Sequence, residues 1–145
     1  MVARVRVKRK RHIKLPQGIT GPSKVKVGFP EGESEGDIVD RAIWNHYGTS
    51  RGIPARPFLL NAIRKNRRKY RAALKKSAPK ILRGETTMKT VVSKLGILSQ
   101  GDIQKEITEL RSPPNAQSTI DQKGSSNPLI DTGEMRGAVT WKVDR

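Results

Sequence analysis

The chain contains no cysteine and only two histidines among its 145 residues. The first absence excludes disulfides and thiolate metal sites. With only His12 and His46 left as nitrogen ligands, no zinc site is expected. Aromatic residues make up 4% of the chain and hydrophobic residues 34%, so any core is modest and mainly aliphatic. No apolar run approaches the ~18 residues needed to cross a bilayer. The basic N-terminus lacks the apolar stretch of a secretory signal. The expectation is therefore a soluble intracellular protein with no membrane partner. Acidic residues are scarce, 13 against 30 Lys and Arg, for a net charge of +17. That imbalance implies an anionic partner, a neighbouring acidic protein surface, or both.

Catalytic signatures are also missing. Neither Gly18 to Gly21 nor Gly28 to Gly36 leads into the Lys-Ser or Lys-Thr of a phosphate-binding loop. There is no GxSxG nucleophile elbow, and neither histidine has a nucleophile motif beside it. Glu31, Glu33 and Glu35 lack the glycine and terminal glutamate of a calcium loop and read as solvated loop charge. His46, at the end of a predicted helix, reads as a capping or interface residue. No enzyme activity, cofactor or metal is expected.

The length suits one domain, over residues 24–145, preceded by a basic arm and loop at 1–23. In the arm, Ala3, Val5 and Val7 alternate with basic residues, as in an edge strand or a disordered tail. Residues 15–23 read as a loop. Val25 to Phe29 reads as a short strand ended by Pro30. Asp37 is placed to cap a helix over Ile38–Tyr47 that ends at Gly48. The alternation of Ala42, Trp44 and His46 leaves a strand open there. The clearest helix begins at Pro57 or Phe58, with Leu59, Ile63, Tyr70, Leu74 and Ile81 as its buried stripe. Pro79 is expected to kink it, unless it ends near Ser77. A second helical region spans about 85–110, with a break or bend expected between Gly96 and Gly101. Residues 111–127 read as a long loop, and Ala138 to Val143 as a closing strand. In Asn127-Pro128-Leu129-Ile130-Asp131-Thr132-Gly133-Glu134, Asp131 and Glu134 have the spacing of a reciprocal capping box. The fold class is α+β: a small antiparallel or mixed sheet packed by two to three helices, with long loops and a basic N-terminal arm.

The charge is concentrated. Residues 51–84 carry twelve Lys and Arg and no acid. On the long helix, Arg64, Lys65, Arg67, Arg68, Lys69, Arg71, Lys75 and Lys76 flank the apolar stripe. Like charges four apart, such as Arg64/Arg68, Arg67/Arg71 and Arg71/Lys75, each destabilise a helix by a few tenths of a kcal/mol. Three sources of compensation are open: nucleic-acid phosphates, acids of a neighbouring subunit, or the chain's own acidic loop at 31–37. A solvated basic face without a partner is the plainer alternative. Tyr70 is the only aromatic on this helix and lies on the apolar stripe, so base stacking or sequence readout is unsupported. Non-specific phosphate contact remains open.

Two motifs carry a resemblance. Trp44-Asn45-His46-Tyr47-Gly48-Thr49 is followed by Ile53-Pro54-Ala55-Arg56-Pro57-Phe58-Leu59 and the basic helix. Later come Pro113-Pro114-Asn115, Ser118-Thr119-Ile120, Lys123-Gly124 and Asn127-Pro128-Leu129-Ile130-Asp131-Thr132-Gly133. In this order, over about residues 25–143, they resemble the bacteriophage tail-completion or neck proteins, a head–tail joining family of virion morphogenesis. His46 departs from the acidic residue usual there, so no role of that acid carries over. The resemblance implies a structural virion protein of the neck or tail end, without catalysis. Its protomers would close into a homo-oligomeric ring, hexameric by expectation, that completes the tail and joins it to the head. Its partners would be connector, tail-terminator or tail-tube proteins, with non-specific contact to packaged DNA. It would sit in the virion, and in host cytoplasm during assembly. Within that reading Pro54, Arg56, Pro57 and Phe58 form a rigid turn seating the basic helix, with Phe58 buried and Arg56 bonding backbone carbonyls or an acid. Leu129, Ile130, Asp131 and Gly133, following Pro128, lock the second loop onto the core. The eight helix cations form the interaction surface. The alternative function is a non-specific, basic nucleic-acid-binding protein.

Overall fold

The computed structural model describes residues 15–30 and 32–144. The alternating segment at Ala3–Val7 and His12 lie outside them. Among the described residues there are two strands and five helices, an α+β arrangement. Strand β1 (Lys24–Gly28) pairs antiparallel with β2 (Thr140–Asp144), placing Val27 opposite Trp141. The chain thus closes a two-stranded ribbon with segments from its two ends. Such a ribbon is marginal alone. Here it packs on helix α3 (Met88–Glu109), which in turn packs on α2 (Phe58–Leu82). Helix α1 (Gly36–Tyr47) lies against the short α5 (Glu134–Gly137), and α4 (Gln117–Lys123) connects the two halves of the C-terminal segment. A 3-10 turn at Gln17–Ile19 packs against α2 and α3.

The core joins α1, α2, α3 and the C-terminal segment through Ile38, Ala42, Phe58, Ala62, Ile103, Ile107, Leu129 and Val139. Phe58 is its aromatic centre, with Phe29 and His46 edge-on to its ring at 6.4 and 5.4 Å. Edge-to-face contact suits the quadrupoles of such rings.

Several expectations need correction. The helix expected over Ile38–Tyr47 forms and the strand alternative does not, but the helix buries Ile38 and Ala42 and leaves Ile43 and Tyr47 exposed. Asp37 lies in the first turn, and Glu35 stands at the N-cap without a side-chain cap. Helix α2 continues through Pro79 to Leu82. The ring leaves the Lys75 carbonyl without its Pro79 donor, and less than one turn of helix follows it. Its buried stripe is Phe58, Ala62, Tyr70 and Ile81, whereas Ile63 and Leu74 are 40% exposed. Tyr70 and Ile81 keep their expected places, while Phe58 and the small Ala62, in the core with Ile103 and Ile107 of α3, replace Ile63 and Leu74.

Helix α3 runs unbroken past Gly96 and Gly101, and Thr87 caps it by accepting the Thr90 N–H at 3.2 Å. The stretch 111–127 is not one long loop, because α4 forms within it. Asp131 is exposed and caps nothing: the N-cap of α5 is Gly133, and the Thr132 hydroxyl accepts the Glu134 N–H at 3.4 Å.

Candidate functional site

The first motif is held by the end of α1. Gly48 ends that helix at φ +76°, donating its N–H to the Trp44 carbonyl at 2.8 Å. A β-carbon at this position would lie 2.9 Å from both Ala55 N and Ile53 O. Glycine is therefore required for its dihedral and for space. The chain then turns back, and the Arg56 N–H donates to the Asn45 carbonyl at 2.7 Å.

Arg56 itself is 2% exposed. Its Nε donates to the Pro113 carbonyl at 2.7 Å and Nη2 to the Pro114 carbonyl at 2.9 Å. Asn115 Oδ1 accepts from Nη2 at 3.1 Å, and Asn45 Oδ1 from Nη1 at 3.2 Å. One guanidinium thus ties the end of α1, the turn before α2 and the Pro113-Pro114-Asn115 turn together. All four acceptors are neutral, and burial lowers the Arg56 pKa. Asn45 was not singled out as a site residue from the sequence. Asparagine one turn before a helix-ending glycine was the available signal.

The second motif is anchored by Asn127. Its Oδ1 accepts the Leu129 N–H at 3.1 Å, and its Nδ2 donates to the Thr108 carbonyl at 3.0 Å. Pro128 and Leu129 are buried, and Ile130 packs against the core. Lys123 Nζ donates to the Asn127 carbonyl at 3.1 Å. Burial lowers the Lys123 pKa, with repulsion from Arg56 adding and attraction from Asp131 opposing.

The two motifs meet around one cleft of about 340 Å³. Pro54 and Arg56 line one side, and Pro128, Leu129, Asp131 and Gly133 the other. Pro57 and Phe58 do not line it, and Phe58 is fully buried in the core. Arg41 stands at the cleft edge, paired with Glu134 at 2.9 Å and Asp37 at 3.1 Å.

The helix cations form a separate surface, since none of them lines this cleft. Lys65 pairs with the buried Glu106 at 2.5 Å, and Lys69 with Asp102 at 2.7 Å. Asp102 also accepts the Tyr70 hydroxyl at 2.8 Å. Among the described residues, compensation for these cations therefore comes from α3. Among the described residues of the acidic loop, Glu33 pairs with Lys142 and Asp37 with Arg41. Arg64, Arg67, Arg68, Arg71, Lys75 and Lys76 are exposed and have no acid within 4 Å among the described residues. Beside this face, Leu74, Val91, Leu95 and Leu98 line an open apolar groove of about 150 Å³ between α2 and α3.

Among the described residues no cluster of three potential metal ligands occurs, and no helix is long and apolar enough to cross a membrane. Comparison with protein-family models, curated proteins and solved structures returned no match.

Proposed function

We propose that this chain is a structural virion protein of the phage neck or tail end, whose protomers close into a ring that completes the tail and joins it to the head. The observation that carries this reading is the face of α2. Two of its eight cations are neutralised by α3, and six point to solvent beside exposed apolar residues of the same helix, Leu60, Ile63 and Leu74. Charge alone would serve any polyanion. Charge interleaved with 40–42% exposed aliphatic side chains suits a protein surface that buries both. Exposed Ile43, Trp44 and Tyr47 on α1 add a second apolar patch. A closed ring needs two different faces on each protomer, and the exposed residues of α1 and α2 offer two candidates. In the neck, the remaining positive charge would meet acidic surfaces of connector, tail-terminator or tail-tube proteins, and packaged DNA.

The test is sedimentation velocity with electron microscopy of the purified protein, wild type and with Arg67, Arg68, Arg71 and Lys75 changed to Gln. Closed rings from wild type and monomers from the variant are expected. A wild type that stays monomeric and binds duplex DNA with steep salt dependence would reject the assembly reading. It would favour a non-specific nucleic-acid binder.

A further inference from the structure

We propose that the cleft between the two motifs is a recognition site for a short, extended peptide bearing a carboxylate next to an apolar side chain. Three observations converge on it. First, Arg56 borders the cleft as a buried cation whose four bonded oxygens all belong to carbonyls or side-chain amides. A buried charge satisfied only by dipoles is a favourable neighbour for an incoming anion. Second, two donors in residues lining the cleft are shielded from solvent yet unbonded: Arg41 Nε and Asn115 Nδ2. Buried donors are ordinarily satisfied, so each calls for an acceptor. Peptide carbonyls or carboxylate oxygens supply such acceptors without supplying a competing donor. Third, the walls include Ile53, Pro54, Leu129 and Met135, which offer an apolar side chain a place to settle.

The same lining discriminates between anions. Asp131 and Glu134 also border the cleft. Arg41 neutralises Glu134, but together the two carboxylates would repel a phosphodiester chain with its repeated charge. A single carboxylate brings one charge to Arg56 and Lys123, against the repulsion of Asp131 alone, where a phosphodiester chain would bring several. A volume of about 340 Å³ lies at the small end of ligand sites and suits two or three residues. Such recognition goes beyond ring assembly and does not depend on it, because none of the α2 cations lines the cleft.

The probe is acetyl-Ala-Leu-Leu with a free C-terminal carboxylate, titrated into the full-length ¹⁵N-labelled protein. Its C-terminal amide and acetyl-Ala-Leu-Asp-amide are the controls. The expected result is saturable shifts at Asn115, Thr119, Lys123 and Thr132, including the Asn115 side-chain amide, with the neutral amide at least about tenfold weaker. Preference for the aspartate peptide would assign the carboxylate to a side chain; preference for the free terminus would assign it to a chain end. Asn115→Ala and Lys123→Gln should each weaken binding about three- to tenfold, and a dispersed spectrum from each variant shows that it is folded. Shifts confined to α2, no shifts at millimolar peptide, or an equal response to the neutral amide would overturn the proposal. So would an equal response to inorganic phosphate or to a single-stranded oligonucleotide. Ring formation by the same sample is scored separately, so either reading can fail alone.

Discussion

The indole of Trp141 rests on Gly96, so a side chain of strand β2 fills the space that a β-carbon would need in the middle of α3. A β-carbon there would come 2.7 Å from Cδ2 and Cε3 and 2.9 Å from Cγ of that ring. These atoms belong to the base and body of the side chain, so the whole ring must move. Gly101, in the same helix, has nothing within 4 Å of the equivalent point. The two glycines should therefore respond to alanine with opposite sign. Gly101→Ala should stabilise by about 0.5–1 kcal/mol through helix propensity alone. Gly96→Ala gains the same propensity but overpacks the sheet contact, at a cost of about 1–3 kcal/mol. Urea unfolding of the pair decides it, and equal shifts in one direction would remove the packing account of Gly96.

Arg56 should be the least replaceable charged residue of the chain. Arg56→Met removes four hydrogen bonds and leaves the Pro113 and Pro114 carbonyls and the Asn45 and Asn115 side-chain oxygens without that donor. Arg56→Lys keeps the charge but cannot reproduce the planar fork that reaches three segments. A loss of about 2–4 kcal/mol is expected for the first and somewhat less for the second. Chemical denaturation of both measures it. A loss under about 0.5 kcal/mol for Arg56→Met, the range of ordinary surface changes, would mean the hub is incidental.

Tyr70 gives the fold an alkaline signature. Burial, with the hydrogen bond to Asp102 adding, pushes its pKa up to about 12 from 10.0. Between pH 10 and 12 the unfolded chain has released this proton while the folded chain still holds it. The stabilisation from Tyr70 is thus fully present below pH 10 and declines as pH rises toward 12. Tyr70→Phe lacks both the titration and the hydrogen bond. The wild type should exceed it by about 1 kcal/mol at neutral pH, with the gap closing from pH 10 upward. Lysine titration is common to both proteins and cancels. A gap that stays constant through pH 12 would show that the hydroxyl is not protected by the fold.

Periodicity and punctuation made the strands, the three long helices and the Gly48 stop readable, because each depends on residues close in sequence. What failed depends on distant partners. Ile63 and Leu74 looked like core residues by spacing, yet the face that meets Ile103 and Ile107 of α3 carries the small Ala62. Gly96 looked like a break because the Trp141 indole that requires it is 45 positions away. Asp131 had the right spacing for a cap, but Asn127 organises that turn and leaves Gly133 at the helix start. The cleft belongs to the same class: both motifs were visible in the sequence, but the chain alone did not show that they face one another. The role of Asn45 was hidden for the same reason, since its value lies in the Arg56 guanidinium eleven residues on.

The uncompensated charge on α2 predicts a divergence between protomer stability and interaction. Arg71 stands four residues after Arg67 and four before Lys75, and none of the three has an acid within 4 Å among the described residues. Arg71→Glu turns two repulsive spacings into two attractive ones. The isolated protomer should gain about 0.5–1 kcal/mol, more at low salt than at high. If the exposed face serves a partner, the same change should weaken assembly, or DNA retention under the alternative reading, because it sets a negative charge in the middle of the patch. Thermal melts at 20 and 300 mM salt, with sedimentation and DNA binding on the same samples, separate the two effects. A variant that is more stable and still assembles and binds DNA as wild type does would show that this face has no partner and is only a solvated basic surface.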